Sequence, residues 1–68
     1  MITIEQYFSN PVARVEAHEA FIRHMWKRGM DTTRRMYNGE TLGYLDPVTQ
    51  AHWDTWAEAC VWMANNNE

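Results

Sequence analysis

The sequence predicts an all-α fold: a small helical domain with two main antiparallel helices and short helical segments at the N-terminus and in the middle. Three observations carry this expectation. Asn10-Pro11 and Asp46-Pro47 each pair a good N-cap residue with a proline suited to the first helical position. The apolar residues that follow each pair recur at helical spacing. The one place for strands offers two of them and no third, and a two-stranded hairpin alone is marginal in water.

In chain order, Thr3 can cap a first short helix, with Gln6 completing a capping box and Ile2 and Tyr7 in hydrophobic-staple positions. That helix ends near Ser9, because Asn10 precedes a proline and is pushed out of the helical region. The second helix starts at Asn10-Pro11 and runs to Arg28, where Gly29 can end it. At roughly 100° per residue, Val15, His18, Phe21, Ile22, Met25 and Trp26 share one broad face. Glu19 and Arg23 form a favourable pair one turn apart on the outside. The last helix starts at Asp46-Pro47 and reaches about Ala64 before fraying into Asn65 to Glu68. Trp53, Trp56, Ala57, Cys60, Met63 and Ala64 line its apolar face, Asp54 and Glu58 lie away from it, and Trp62 falls on the far side.

Met30 to Leu45 admits two readings. Asp31 can cap a short helix ending at Asn38-Gly39. The same Asn-Gly can be the turn of a hairpin, with Arg34 to Tyr37 facing Glu40 to Tyr44. The helix is preferred for want of a third strand.

With 68 residues there is room for one domain, spanning 1–68. A chain of 8.1 kDa buries only about 60% of its unfolded surface, so the core is thin and needs large side chains or a partner. Four Trp, three Tyr, two Phe and five Met supply the bulk. Carving an active-site cavity from so small a core is difficult, so no enzymatic activity is expected. The net charge of −3 is uneven: a basic centre from Arg23 to Arg35 lies between acidic ends. A nucleic-acid binder usually shows a clear basic excess, which this chain lacks. Cys60 is the single cysteine, which suits a reducing compartment. The N-terminus does not read as a signal peptide, and no apolar run approaches the ~18 residues of a membrane span. The expected location is cytoplasmic.

The chemistry-bearing residues are few. His18 reads either as a core histidine or as a ligand or base, and His24 and His52 do not converge on it, so no metal site is expected. Cys60 sits late in a helix, where the dipole disfavours a thiolate, and reads as a buried small hydrophobe. No cofactor motif is present; the glycines at 29, 39 and 43 are spaced for turns rather than for a phosphate loop. Arg23, Lys27, Arg28, Arg34 and Arg35 form a basic cluster that reads as a solvated face, a phosphate-contacting patch or a dock for an acidic protein. Trp62 reads either as a contact residue or as a ring lying flat on a neighbouring segment. A homodimer would explain both the thin core and Trp62.

Gly43-Tyr44, followed by Gln50, Trp53, Trp56 and Ala59, resembles a pattern found in short bacteriophage-encoded accessory proteins of unassigned function. The pattern is roughly G-x-Y, a spacer, then Q-x-x-W-x-x-W-x-x-A, often after a helix bearing a Phe and a Trp, which Phe21 and Trp26 would supply. The likeness covers about 18–60, excludes the basic cluster and brings no catalytic residues. It implies a phage genome and the cytoplasm of a bacterial host. The expected function is therefore binding, and thereby inhibiting or redirecting, a host protein, with Trp62, Arg23, Lys27, Arg28, Arg34 and Arg35 as the contact residues. A nucleic-acid-binding regulator using the basic cluster and a structural subunit of an oligomeric phage assembly are the alternatives.

Overall fold

A computed structural model describes residues 1–66. Its elements in chain order are α1 (Ile4–Phe8), α2 (Pro11–Lys27), β1 (Arg34–Tyr37), β2 (Glu40–Tyr44) and α3 (Pro47–Asn66). The fold is mixed α/β, which corrects the all-α expectation: the middle segment is an antiparallel hairpin and not a helix.

The helix boundaries follow from local chemistry. Thr3 and Gln6 form the reciprocal capping box that starts α1. Asn10 Oδ1 accepts from the backbone N–H groups of Val12 and Ala13 at the start of α2. Asp46 Oδ1 accepts from Val48 and Thr49 at the start of α3. Each carboxyl or amide oxygen satisfies donors that have no partner within the helix. α2 closes with Gly29 N–H donating to Trp26 O and Met30 N–H to Met25 O. The C-terminal end of α3 corrects the expected fraying at Asn65 and Asn66, which are helical; Asn67 and Glu68 lie outside the described residues.

The hairpin forms because its turn, a closed loop ahead of β1 and ties to α3 together replace the missing third strand. Asn38 and Gly39 both take positive φ, 52° and 78°, the conformation of a two-residue turn matched to strand twist. Asp31 caps no helix. Its Oδ1 accepts from the backbone N–H and hydroxyl of Thr33, closing a turn that launches β1. β2 is then locked to α3: Gln50 Oε1 accepts from Tyr44 N–H at 2.8 Å, with Gln50 Nε2 donating to Asp54. The Gln50 side chain fills the space where a Cβ would stand at position 43, so only glycine admits this close approach. The register shifts between Arg35 and Met36, leaving Leu42 unpaired opposite them.

α3 runs back along α2. Near its start the Thr49 hydroxyl donates to Asp31 O, just past the end of α2; near its finish Asn65 exchanges two hydrogen bonds with the backbone of Ile2, ahead of α1. Between them lies the core of Ala17, Phe21, Met25, Tyr44, Trp53 and Ala57. Tyr44 reaches it from the hairpin, its ring centroid 5.1 Å from that of Phe21. The buried stripe of α2 is narrower than its apolar face suggests. Val15 and Trp26 are exposed, and the Trp26 indole N–H donates to Thr32, pinning the loop after the helix. The expected Glu19–Arg23 pair is not formed; among the described residues the ion pair is Arg14–Glu40, at 3.3 Å.

The molecule is a thin plate, 34 × 27 × 17 Å between Cα extremes. Its accessible surface of 5115 Å² exceeds the roughly 4,500 Å² usual for a monomer of this mass. Two openings flank the α2–α3 seam, one on each side. No described helix is long and apolar enough to cross a membrane.

Candidate functional site

His18 is a core histidine. It is 6% exposed, stacks on Trp53 with centroids 3.9 Å apart, and sets Nδ1 2.8 Å from Tyr44 Oη. Burial, with the positive charges of Arg34 and Arg14 nearby, lowers its pKa to about 4. Burial pushes the Tyr44 hydroxyl up to about 12. Both groups are therefore neutral at pH 7. No group of three or more His, Cys, Asp and Glu among the described residues is placed to hold a metal ion. Cys60 is half-buried, and burial raises its thiol pKa, so it remains protonated and poorly nucleophilic.

On one side of the α2–α3 seam runs an apolar groove of about 370 Å³. Ala13, Ala17 and Ala20 of α2 face Trp56, Cys60 and Met63 of α3 across it. Small residues on α2 keep the floor low, while Trp56 and Met63 raise the opposite wall. The indole nitrogen of Trp56 is buried with no hydrogen-bond partner, a cost the protein carries at the groove wall.

The sequence-proposed contact residues divide between the two sides. Trp62 is 66% exposed, and helical spacing sets it beside Ala59, which lines the groove. On α2, Glu16, Ala20, Arg23 and Lys27 succeed one another at spacings of four, three and four, forming one strip. Glu16 and Ala20 line the groove, so Arg23 and Lys27 continue its edge toward the C-terminal end of α2. His24, with its ring 5.4 Å from that of Trp56, marks where α2 and α3 meet at this level. Arg28 is the exposed C-cap of α2. Arg34 is not with them. It pairs with Tyr44 in the hairpin register and lines a smaller cleft of about 170 Å³ with Arg14, His18 and Glu19, on the other side of α2. Arg35, the next residue of the strand, points to the opposite face of the ribbon from Arg34. Trp62, Arg23 and Lys27 thus share a face, and the hairpin arginines lie apart from it.

The second opening, of about 510 Å³, lies between α1, the hairpin and α3. Sequence reasoning did not single it out. Its signal was present in Asp54 and Glu58, a turn apart beside Trp53, but their shared opening required the hairpin to form the opposite wall.

Comparison with protein-family models, with curated proteins and with solved structures finds no match to this chain.

Proposed function

We propose that this chain is a phage-encoded accessory protein that works in the bacterial cytoplasm by binding a host protein, without catalysis. The observation that carries the reading is the joined surface of groove, Trp62 and basic strip. An apolar channel between two helices ends in an exposed tryptophan on one side and in Arg23 and Lys27 on the other. Large aromatic anchors beside a groove are the usual centre of a protein interface. The occupant that fits is an amphipathic helix whose apolar stripe fills the groove and whose acidic end lies over Arg23 and Lys27. From Trp62 to the level of Lys27 the face covers roughly 15 Å along α3, three turns of such a helix. The likeness to short phage proteins supplies the cellular setting.

The test is affinity purification of the tagged protein from bacterial lysate, with nuclease added to half the sample. One host protein in stoichiometric amount that survives nuclease, and is lost from the Trp62→Ala/Arg23→Glu variant while the circular dichroism is unchanged, is the expected result. Recovery of nucleic acid alone, or of the tagged protein alone, would overturn it. Arg34→Glu, on the other side of α2, should leave capture intact.

A further inference from the structure

The opening between α1, the hairpin and α3 has a chemistry unlike that of the groove. Phe8, Trp53 and Ala57 give it an apolar floor, with the Phe8 and Trp53 rings 5.7 Å apart. Its volume of about 510 Å³ is in the range of small-ligand and side-chain pockets, roughly 300–1,000 Å³. Two features of its wall call for a ligand.

The first is His18. Tyr44 is 2% exposed, and its hydroxyl has no acceptor other than His18 Nδ1 among the described residues. Leaving that buried O–H unused is costly, so Tyr44 donates and His18 accepts. This assigns the imidazole proton to Nε2. Nε2 then carries an N–H that no group among the described residues accepts. The side-chain polar atom that is sealed from solvent without a partner is Trp56 Nε1, not His18 Nε2. The His18 donor therefore meets solvent space, and the openings that His18 lines are this cleft and the small one beside it.

The second is charge. Arg14 lines the cleft, but its guanidinium is engaged by Glu40 at 3.3 Å and by Phe8 O at 3.4 Å. The remaining ionised groups on the wall are Asp54 and Glu58, one turn apart on α3. Asp54 accepts one bond from Gln50, and Glu58 accepts no side-chain hydrogen bond among the described residues. Two carboxylates without a cation thus stand over an aromatic floor in a cleft that His18, with its unused N–H, also lines.

We infer that this cleft binds a basic peptide segment. A backbone carbonyl of the segment accepts from His18 Nε2, and the stem of an arginine or lysine lies on Trp53. Its cationic end reaches Asp54 and Glu58. Acceptor, apolar stem and cation each meet a lining group of matching chemistry: His18, Trp53 and the two carboxylates. Because the cleft is on the other side of the seam from the groove, this inference does not depend on the proposed host-protein face.

The test uses the whole ¹⁵N-labelled protein and two blocked tripeptides, acetyl-Ala-Arg-Ala-amide and acetyl-Ala-Gln-Ala-amide, followed by amide and indole chemical shifts. Saturable shifts at His18, the Trp53 indole, Asp54 and Glu58 are expected with the arginine peptide. The glutamine peptide should bind several-fold more weakly. Glu58→Gln, at an exposed position that holds no part of the fold, should weaken arginine-peptide binding roughly threefold or more. Trp62→Ala should leave it unchanged. Equal response to both peptides, shifts centred elsewhere, or no saturable shift would each overturn the inference.

Discussion

Lowering the pH from 7.5 to 5.0 should destabilise the protein through His18 alone among its shifted groups. The imidazole has an ordinary pKa of 6.5 and is held at about 4 in the fold, by burial first and by Arg34 and Arg14 after it. The folded pKa is depressed, so the unfolded chain takes up a proton that the native state refuses. Stability is complete above pH 6.5 and falls as the pH drops from there toward 4. At pH 5.0 the unfolded imidazole is nearly all charged and the folded one nearly all neutral, which corresponds to about 2 kcal/mol. Solvent in the neighbouring cleft screens part of this, leaving roughly 1–2 kcal/mol, or a fall in Tm of about 10 °C for a chain of this size. Asp31, held below its usual range by hydrogen bonds from Thr33, acts only at lower pH and stays out of this window. Urea unfolding read by tryptophan fluorescence at the two pH values measures the loss. The ring-proton shifts of His18 locate its midpoint. A stability that does not change between pH 7.5 and 5.0, or a His18 midpoint at or above 6.5, would refute the reasoning.

Three further outcomes follow from the contacts. Gly43→Ala drives a methyl into the Gln50 side chain and strips Tyr44 N–H of its acceptor, and should cost about 1–3 kcal/mol in urea unfolding. Asp46→Ala removes the oxygen that caps α3 at two backbone donors, and should cost about 1 kcal/mol by the same measurement. Trp62→Ala removes a largely exposed ring, and should shift stability by no more than about 0.5 kcal/mol with unchanged circular dichroism.

What was legible in the sequence was local. Asn10-Pro11, Asp46-Pro47 and the Thr3–Gln6 box each specify a helix start within four residues, and all three are seen. The hairpin was not settled because its support comes from far along the chain. Asn38-Gly39 signals the turn, but the choice against a helix rests on Gln50 reaching Tyr44 and on Thr49 reaching Asp31. A helix can brace a hairpin as a third strand does, and that alternative was not in the local pattern. The split of the basic cluster follows from the same element. Residues 34 and 35 lie about 100° apart around a helix, whereas on a strand they face opposite ways. His18 could be recognised as a polar group on an apolar face, but its partner Tyr44 is 26 positions away. Trp62 needed no long-range contact to place, because its offset from Trp53 sets it outside the core.

Gly43, Tyr44, Gln50, Trp53 and Trp56 are consumed by the fold. Gly43 makes room for Gln50; Gln50 ties Tyr44 to α3; Tyr44 hydrogen-bonds His18; Trp53 stacks on His18; and Trp56 packs against Phe21. Each is fixed by a neighbour inside the molecule. These contacts hold the hairpin against α3, with Tyr44 reaching His18 of α2, and any partner would have to be met by residues they leave free. Those residues are Trp62, Arg23 and Lys27 on one side of the seam and Glu58 on the other, with Asp54, though bonded to Gln50, keeping an oxygen for the cleft. Exchanging only these positions should change what the protein binds while its unfolding free energy stays within about 1 kcal/mol, since exposed substitutions away from packed contacts move stability little. A loss of folding on that exchange would mean that the two faces, and not the clamp alone, hold the plate together.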